Sequence, residues 1–287
     1  MLKESPSQYQ ATRLSPKLFD AVRDYAYRTA GIELHDGKQE MVAARVWKRA
    51  RALGYDSADD YFEAVSRDKS GDLQVDLIDA LTTNFTSFFR EPAHFDFLRN
   101  QILPKLRGRN QFTIWTAASS SGEEPYSIAV TLIETLGEAA LRQAKIRASD
   151  ISTKVLRSAE AGIYSEERFS SLDQNWRSRY LLRGTGAQEG KFRFRPEIRR
   201  MIHFERINLM EPLPAEGPFP LIFLRNIMIY FDRPTQERVV SAMTAKLEPG
   251  GYLFVGHSES LNGISHELDH VQVAIYKKTG QLEDRRA

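Results

Sequence analysis

At 287 residues, with 41% hydrophobic and 27% charged side chains, the chain is long enough for two domains and ordinary in composition for a soluble globular protein. A net charge of +2 is too small to imply nucleic-acid binding, and the absence of cysteine excludes disulfides, thiolate metal sites and thiol nucleophiles. The six histidines show no metal-ligand spacing such as HExxH, so no metal is expected; with no signal peptide or apolar run of transmembrane length, the cytoplasm is the expected compartment.

Residues 1–88 read as an N-terminal helical domain. Apolar residues recur at helical spacing over Pro16 to Ala30, Lys38 to Leu53, Ala58 to Asp68 and Gly71 to Thr82. Ser15 is a credible cap, with Pro16 at the first helical position. In the second helix, Val42, Val46, Ala50 and Leu53 form the expected buried stripe, and Arg45, Lys48 and Arg49 fall together on the other side. Such a cluster is usually a solvated face. The lack of acids between residues 41 and 55 makes it a candidate docking face for an acidic partner. At the junction, Asn84, Thr86 and Arg90 interleave with Phe85, Phe88 and Phe89, which reads as an aromatic plug between domains whose polar groups could close a lid.

From about residue 111 strands alternate with helices, over Phe112–Ala117, Lys145–Ser149, Ile202–Ile207, Leu221–Leu224 and Tyr252–Gly256. This alternation predicts an α/β fold with parallel strands joined by right-handed crossovers, the ligand lying at their carboxyl ends. Asp173 to Arg200 fits poorly; the alternation in Lys191-Phe-Arg-Phe-Arg195 makes it a small antiparallel insertion. The final QLEDRRA is expected to fray.

The most informative segment is Trp115-Thr-Ala-Ala-Ser-Ser-Ser-Gly-Glu-Glu-Pro-Tyr-Ser127. An apolar strand runs into a turn of small residues, and this opens a helix with two carboxylates in its first turn. Small side chains let a ligand approach the backbone and the free N–H groups of the helix start. Glu123 and Glu124 would repel a phosphate but suit a cationic amino acid carrying a ribose, which describes S-adenosylmethionine. The structural alternative is that both simply favour the helix N-terminus. Polar residues follow the other strands too. Asp150 ends the second strand, where an acid commonly holds ribose hydroxyls, although a helix cap is the more frequent meaning of such a residue. Asn208 and Leu209 follow the third, Arg225 and Asn226 the fourth, and Leu247-Glu-Pro-Gly-Gly-Tyr-Leu253 carries a turn frequent in methyltransferases.

Four segments together, Thr82-Thr-Asn-Phe-Thr-Ser-Phe-Phe-Arg90, Ser121-Gly-Glu-Glu-Pro-Tyr-Ser127, Arg225-Asn-Ile-Met-Ile-Tyr-Phe-Asp232 and Gly256-His-Ser-Glu259, resemble the chemotaxis receptor methyltransferases, the CheR family. The resemblance covers nearly the whole chain in order. It departs at Ala118-Ser119, where many members have Gly-Cys. It implies an all-α domain over 1–88, then a Rossmann-like S-adenosylmethionine-dependent methyltransferase domain over 89–287, with an antiparallel β-subdomain inserted at 172–204. The implied reaction is methylation of glutamate side chains on the cytoplasmic helical bundle of membrane chemoreceptors, giving γ-methyl esters and S-adenosylhomocysteine in chemotaxis adaptation. Asn84, Thr86, Arg90, Glu123, Asp150, Asn208, Leu209, Arg225 and Asn226 are implied cofactor contacts, with Asp150 on the ribose. Arg90 and Tyr230 are candidates for orienting the substrate carboxylate, and a core aromatic is an equal reading of Tyr230. Gly184-Thr185-Gly186 looks like a loop that docks a peptide from the receptor's C-terminus. A free glutamate is more than about 99% ionised at pH 7, so the reaction needs no general base.

Rival readings are a small carboxylate substrate, a docking adaptor that kept the fold, and a nucleotide dehydrogenase, the last opposed by the absence of GxGxxG. Methylation of base amines lacks its Asn/Asp-Pro-Pro-Tyr/Phe motif. Nothing suggests an obligate dimer, so a monomer is expected.

Overall fold

The computed structural model describes residues 13–82 and 85–279. They fall into two compact units: the N-terminal helices with Tyr230–Asp232, and Phe85–Ile229 with the chain from Arg233 onward.

The first unit contains α1 (Pro16–Ala30), α2 (Gln39–Ala52), α3 (Ala58–Arg67) and α4 (Asp72–Leu81). Ser15 caps α1 by accepting from the Leu18 N–H at 3.2 Å, and Gly31 ends it in the left-handed conformation. Val42, Val46 and Ala50 are buried as expected. Leu53 is not: it is 39% exposed, because α2 stops at Ala52 and the chain turns away. The basic face is also divided. Arg45 donates to the Leu81 and Thr82 carbonyls at 2.8 and 3.0 Å, satisfying the end of α4. Arg49 pairs with Asp76 of α4, and Lys48 stays exposed. The acid that compensates Arg49 therefore comes from another helix, where a local scan of α2 cannot find it. Tyr230 joins this unit through its carbonyl, which accepts from the Glu33 N–H at 2.8 Å.

The second unit opens with α5 (Pro92–Phe97) and α6 (Leu103–Leu106), followed by β1 (Phe112–Ala117), α7 (Glu123–Leu136), α8 (Ala140–Gln143), β2 (Ala144–Asp150) and α9 (Thr153–Ala161). Then come β3 (Ile163–Ser165), α10 (Gln174–Tyr180), β4 (Leu181–Arg183), β5 (Lys191–Phe194), α11 (Pro196–Arg199) and β6 (Ile202–Arg206). It closes with β7 (Phe219–Leu224), α12 (Arg233–Lys246), β8 (Leu247–Val255), β9 (Leu268–Gln272) and β10 (Ile275–Lys278). The main sheet has the order β6-β2-β1-β7-β8-β10-β9, parallel through β8 and antiparallel in the closing hairpin. The central strand β7 is apolar on both faces, as burial between two helical layers requires, and every one of its residues is buried.

Register places the site. Ala117 lies beside both Ser149 and Leu224, Leu224 beside Val255, and Asp150 beside Arg206. The segments leaving these strands thus emerge along one edge of the sheet, at its carboxyl ends.

Two β features were not anticipated. The antiparallel sheet, ordered β3-β5-β4, takes in Ile163–Ser165, ahead of the segment from 172, whereas Ile202–Arg206 pairs in the main sheet. Three residues are too few to show a period of two. The β9–β10 hairpin was missed because β9 buries only Leu268, which leaves no alternation to read. Phe88 stacks on Phe169 at 4.7 Å and lies 5.1 Å from Tyr164 and 5.6 Å from Phe194, all within the second unit; Phe89 packs on Phe95 and Trp176 there, and Phe85 is 68% exposed. No described helix is long and apolar enough to cross a membrane.

Candidate active site at the carboxyl ends of the strands

The turn from β1 to α7 is held in an uncommon backbone state. Ala118 has φ 62°, Ser120 φ 49° and Gly122 φ 99°. The departure noted at Ala118 therefore falls on a left-handed position, where a side chain costs about 1–2 kcal/mol. Gly122 has a second reason to be glycine: a Cβ there would lie 2.7 Å from the Tyr164 hydroxyl. That hydroxyl donates to the Ser121 carbonyl at 2.7 Å. Asp150 braces the turn from the next strand, accepting from the Ser120 N–H at 2.9 Å and the Ser152 N–H at 3.0 Å. The cap of α9 is Ser152, which accepts from the Val155 N–H at 3.3 Å, so Asp150 is not the cap.

The two glutamates divide their work. Glu124 accepts from the Thr116 hydroxyl and from Arg225 Nη1, both at 2.6 Å, and so ties β1 to β7. Glu123 is fully buried. Its Oε2 accepts from the Ser121 hydroxyl at 2.6 Å, but no hydrogen bond reaches Oε1. Arg168 Nη1 stands 3.3 Å from that oxygen, an ion-pair distance outside hydrogen-bond geometry, and donates instead to the Thr86 carbonyl at 3.1 Å. Burial pushes the Glu123 carboxyl above its ordinary pKa, only partly offset by Ser121 and Arg168.

Arg225 is the central cation. Its guanidinium bonds Glu91 at 2.9 Å, Glu124 and the Arg90 carbonyl, the last two at 2.6 Å. Burial works to raise the Glu91 pKa, but Arg225, the His257 N–H and Asn226 outweigh it and hold it low. Glu259 accepts from the N–H groups of Gly256 at 2.6 Å, Asn226 at 2.8 Å and Ile229 at 3.2 Å, joining the loops after β7 and β8. Burial nevertheless raises its pKa. His94, buried against Phe254, is held down to a pKa of about 3 by burial and by Arg225. Glu91, His94 and His257 bring potential ligand atoms within 4.8 Å of one another. A cation bound there would share the Glu91 carboxylate with the guanidinium of Arg225.

The structure thus brings Glu123, Asp150, Arg225, Asn226 and the Thr86–Arg90 segment to one edge. Asn208, after β6, is buried, accepting from the Met210 N–H at 3.0 Å and donating to Glu211 at 3.1 Å, and Leu209 is half-buried. Arg90 donates to the Phe85 carbonyl at 3.0 Å, its guanidinium 5.8 Å from the Phe85 ring. Arg225 has its donors turned toward protein acceptors. Asn84 lies outside the described residues, as does QLEDRRA. Glu259, Arg168 and Tyr164 carry no role in the sequence reading. Glu259 is part of a segment quoted above, but nothing local marks Arg168 or Tyr164.

Gly256 shows how tightly the loops meet. A Cβ there would lie 2.3 Å from Asn226 Nδ2 and 2.9 Å from Glu259 Oε2. Gly256→Ala should therefore displace Asn226 and weaken cofactor affinity about tenfold in calorimetry, with the far-ultraviolet dichroism unchanged.

These observations fit S-adenosylmethionine. A buried carboxylate with an open oxygen suits a cationic ligand, an acid stands at the end of the second strand, and the turn between them is built of small side chains. A Rossmann-like sheet with this site at its carboxyl edge defines an S-adenosylmethionine-dependent methyltransferase. The comparisons agree. Residues 84–277 match the CheR methyltransferase SAM-binding domain, and residues 17–82 match the CheR methyltransferase all-alpha domain. The chain is 44% identical to a chemotaxis protein methyltransferase of Klebsiella aerogenes, over 90% of this chain and 88% of that one. It is 42% identical to chemotaxis protein methyltransferase 2 of Pseudomonas aeruginosa (90% and 91% covered) and 42% identical to the chemotaxis protein methyltransferase of Escherichia coli (89% and 88%). The chain belongs to the CheR methyltransferase family.

Proposed function

We propose that this enzyme methylates glutamate side chains in the cytoplasmic bundle of chemoreceptors, forming γ-methyl esters. The observation that carries the substrate chemistry is the state of the site's carboxylates. Glu91 is held by Arg225, Glu124 by Thr116 and Arg225, Glu259 by three backbone N–H groups, and Asp150 by two. Glu123 is buried with one oxygen that accepts no hydrogen bond, and His94 is buried. This set binds and positions. It suits a nucleophile that arrives already ionised, as a glutamate does.

Glu123, Asp150, Asn208, Leu209, Asn226 and the Asn84–Arg90 segment are the proposed holders of the cofactor, which supplies an electrophilic methyl group when bound. Arg225 supports them from below through Glu91 and Glu124. Arg90, whose guanidinium lies against the exposed Phe85, is the residue proposed to orient the substrate carboxylate; Tyr230 is the second residue proposed for that task. Thr86 and the buried Phe88 keep water from the reacting atoms, where opposite charges neutralise one another and a dry site favours reaction.

The receptor is the proposed partner of the basic face of α2 and, through a C-terminal peptide, of the Gly184–Gly186 loop. In that loop a Cβ on Gly184 would lie 2.0 Å from the Gln188 carbonyl oxygen, which supports a tightly closed hairpin. Lys48, exposed and outside the α4 contacts, carries most of the steering in this reading. Lys48→Glu is expected to raise KM for a receptor fragment several-fold at low salt with kcat unchanged, and the effect should fade by about 0.5 M salt. Monomeric enzyme acting in the cytoplasm completes the proposal.

The test is transfer of labelled methyl from S-adenosylmethionine to a receptor cytoplasmic fragment, with its Glu→Ala version as control. Base-labile methanol released only from the glutamate-containing fragment supports the reading. Cofactor binding without transfer rejects the substrate, and loss of both returns the chain to a docking role.

A further inference from the structure

The amino ends of the strands carry a second concave surface, at the opposite edge of the sheet from the cofactor turn. A cleft of about 690 Å³ runs along the starts of β1, β2, β6 and β7. A parallel sheet is ordinarily covered on both faces. Here α7 packs on the face that bears Phe204, whose ring lies 6.2 Å from that of Tyr126. His203 and Glu205 alternate with Phe204 and belong to the other face, together with Arg147 and Trp115 of the neighbouring strands. The chain from 207 to 218 joins β6 to β7 without a helix, and this face keeps an opening of the size that small-molecule sites have.

Arg147 is the buried cation of the cleft. It is 8% exposed, with its guanidinium 5.5 Å from the Trp115 ring. Glu205 accepts from Nε and Nη2, which staples β2 to β6 and accounts for that half of the group. The other half is held loosely. Nη1 donates at 3.3 Å to Glu216, whose side chain is 68% exposed on the irregular chain before β7. An ion pair with so exposed a partner contributes little. Lys145 and Arg200 line the same cleft, both exposed and neither in an ion pair among the described residues. An anionic group in place of Glu216 would therefore meet three cations, and Ile202 and Pro218 offer an apolar wall beside them.

We propose that this cleft binds a small organic anion, whose carboxylate or phosphate replaces Glu216 on Arg147 Nη1. Lys145 and Arg200 supply the surrounding positive charge, and the body of the ligand lies against Ile202 and Pro218. The site depends neither on the identity of the cofactor nor on that of the methyl acceptor.

Trp115 reports on it, because the indole lies against Arg147 and donates to the Ser149 hydroxyl at 2.9 Å. The experiment is a titration of isotope-labelled protein with phenyl phosphate, benzoate and neutral benzyl alcohol, followed by NMR at the Trp115 indole N–H. An anion is expected to shift that resonance with a Kd of about 1 mM, the tighter of the two naming the head group. Benzyl alcohol should bind at least about tenfold more weakly, since it lacks the charge-assisted bond. Glu216→Gln removes the competing carboxylate and should tighten the anion about two- to fivefold. Lys145→Glu should weaken it by about the same factor. Both positions are exposed, so neither change should disturb folding. Saturating S-adenosylhomocysteine should leave the titration unchanged. The site is overturned by the absence of a shift at about 20 mM of either anion, or by equal binding of benzyl alcohol. Indifference to both substitutions, or displacement of the anion by S-adenosylhomocysteine, overturns it as well.

Discussion

Arg225→Ala should lower the melting temperature by about 6–20 °C and abolish methyl transfer. Removing one partner from a buried ionic network typically costs about 3–5 kcal/mol, because the remaining charges stay desolvated. A domain of this size loses about 2–4 °C per kcal/mol. Arg225 is 5% exposed and serves Glu91, Glu124 and the Arg90 carbonyl together, so its loss leaves two carboxylates uncompensated and releases the segment above them. The pH dependence has a definite sign. In wild type Glu91 titrates below its ordinary value, so its contribution is full above the unfolded pKa and is lost as pH falls through the folded one. Without Arg225 that contribution disappears. The deficit of the variant should be largest near neutrality and shrink in acid as Glu91 protonates. Melting curves from pH 4 to pH 8 measure this; a deficit constant across that range would mean the guanidinium acts by packing alone.

Glu123→Gln should move stability and binding in opposite directions. Burial raises the Glu123 pKa, so the stabilising protonated state is complete below the unfolded value and is lost as pH rises through the folded one. At neutral pH the apo enzyme carries an unwelcome charge. The neutral amide should stabilise it by about 0.5–2 kcal/mol, or a few degrees, with the gain vanishing below about pH 4. On the proposed role of Glu123 as a cofactor contact, cofactor affinity should fall by about 100-fold, since a cationic ligand loses a buried, charged acceptor. Scanning calorimetry with and without S-adenosylhomocysteine reads both effects. A variant less stable than wild type at neutral pH would show that the Arg168 pairing already repays the burial.

Much of this architecture was legible because it is written in short range. Ser15 and Pro16 start α1 where the cap and the ring predict, and the largely apolar runs of β1 and β7 are strands at the centre of a buried sheet. Turn residues after those strands led to the site edge. The unread part is long range. Arg225 and Glu91 are 134 positions apart, and no local pattern joins them. Arg168 lies in a short turn with acids on one side, the ordinary look of solvent-facing sequence. Arg49 appeared available for a partner because its acid, Asp76, comes from α4. The equivalence of Glu123 and Glu124 in sequence also hid their division: only the fold places Thr116 and Arg225 around one and leaves the other open.

Six described residues other than glycine have positive φ, and Phe89, Glu91, Ala118, Ser120 and Asn226 among them belong to the loops at the site edge. Each such conformation is disfavoured by about 1–2 kcal/mol for most side chains, less for asparagine. The strain is shared by three separate loops, anchored by Ser127 beneath Phe89, by Asp150 beneath Ser120 and by Glu259 beneath Asn226. These loops are also tied to one another, Glu91 accepting from the His257 N–H and Glu259 from the Asn226 N–H, so a change that relaxes one of them is felt by its neighbours.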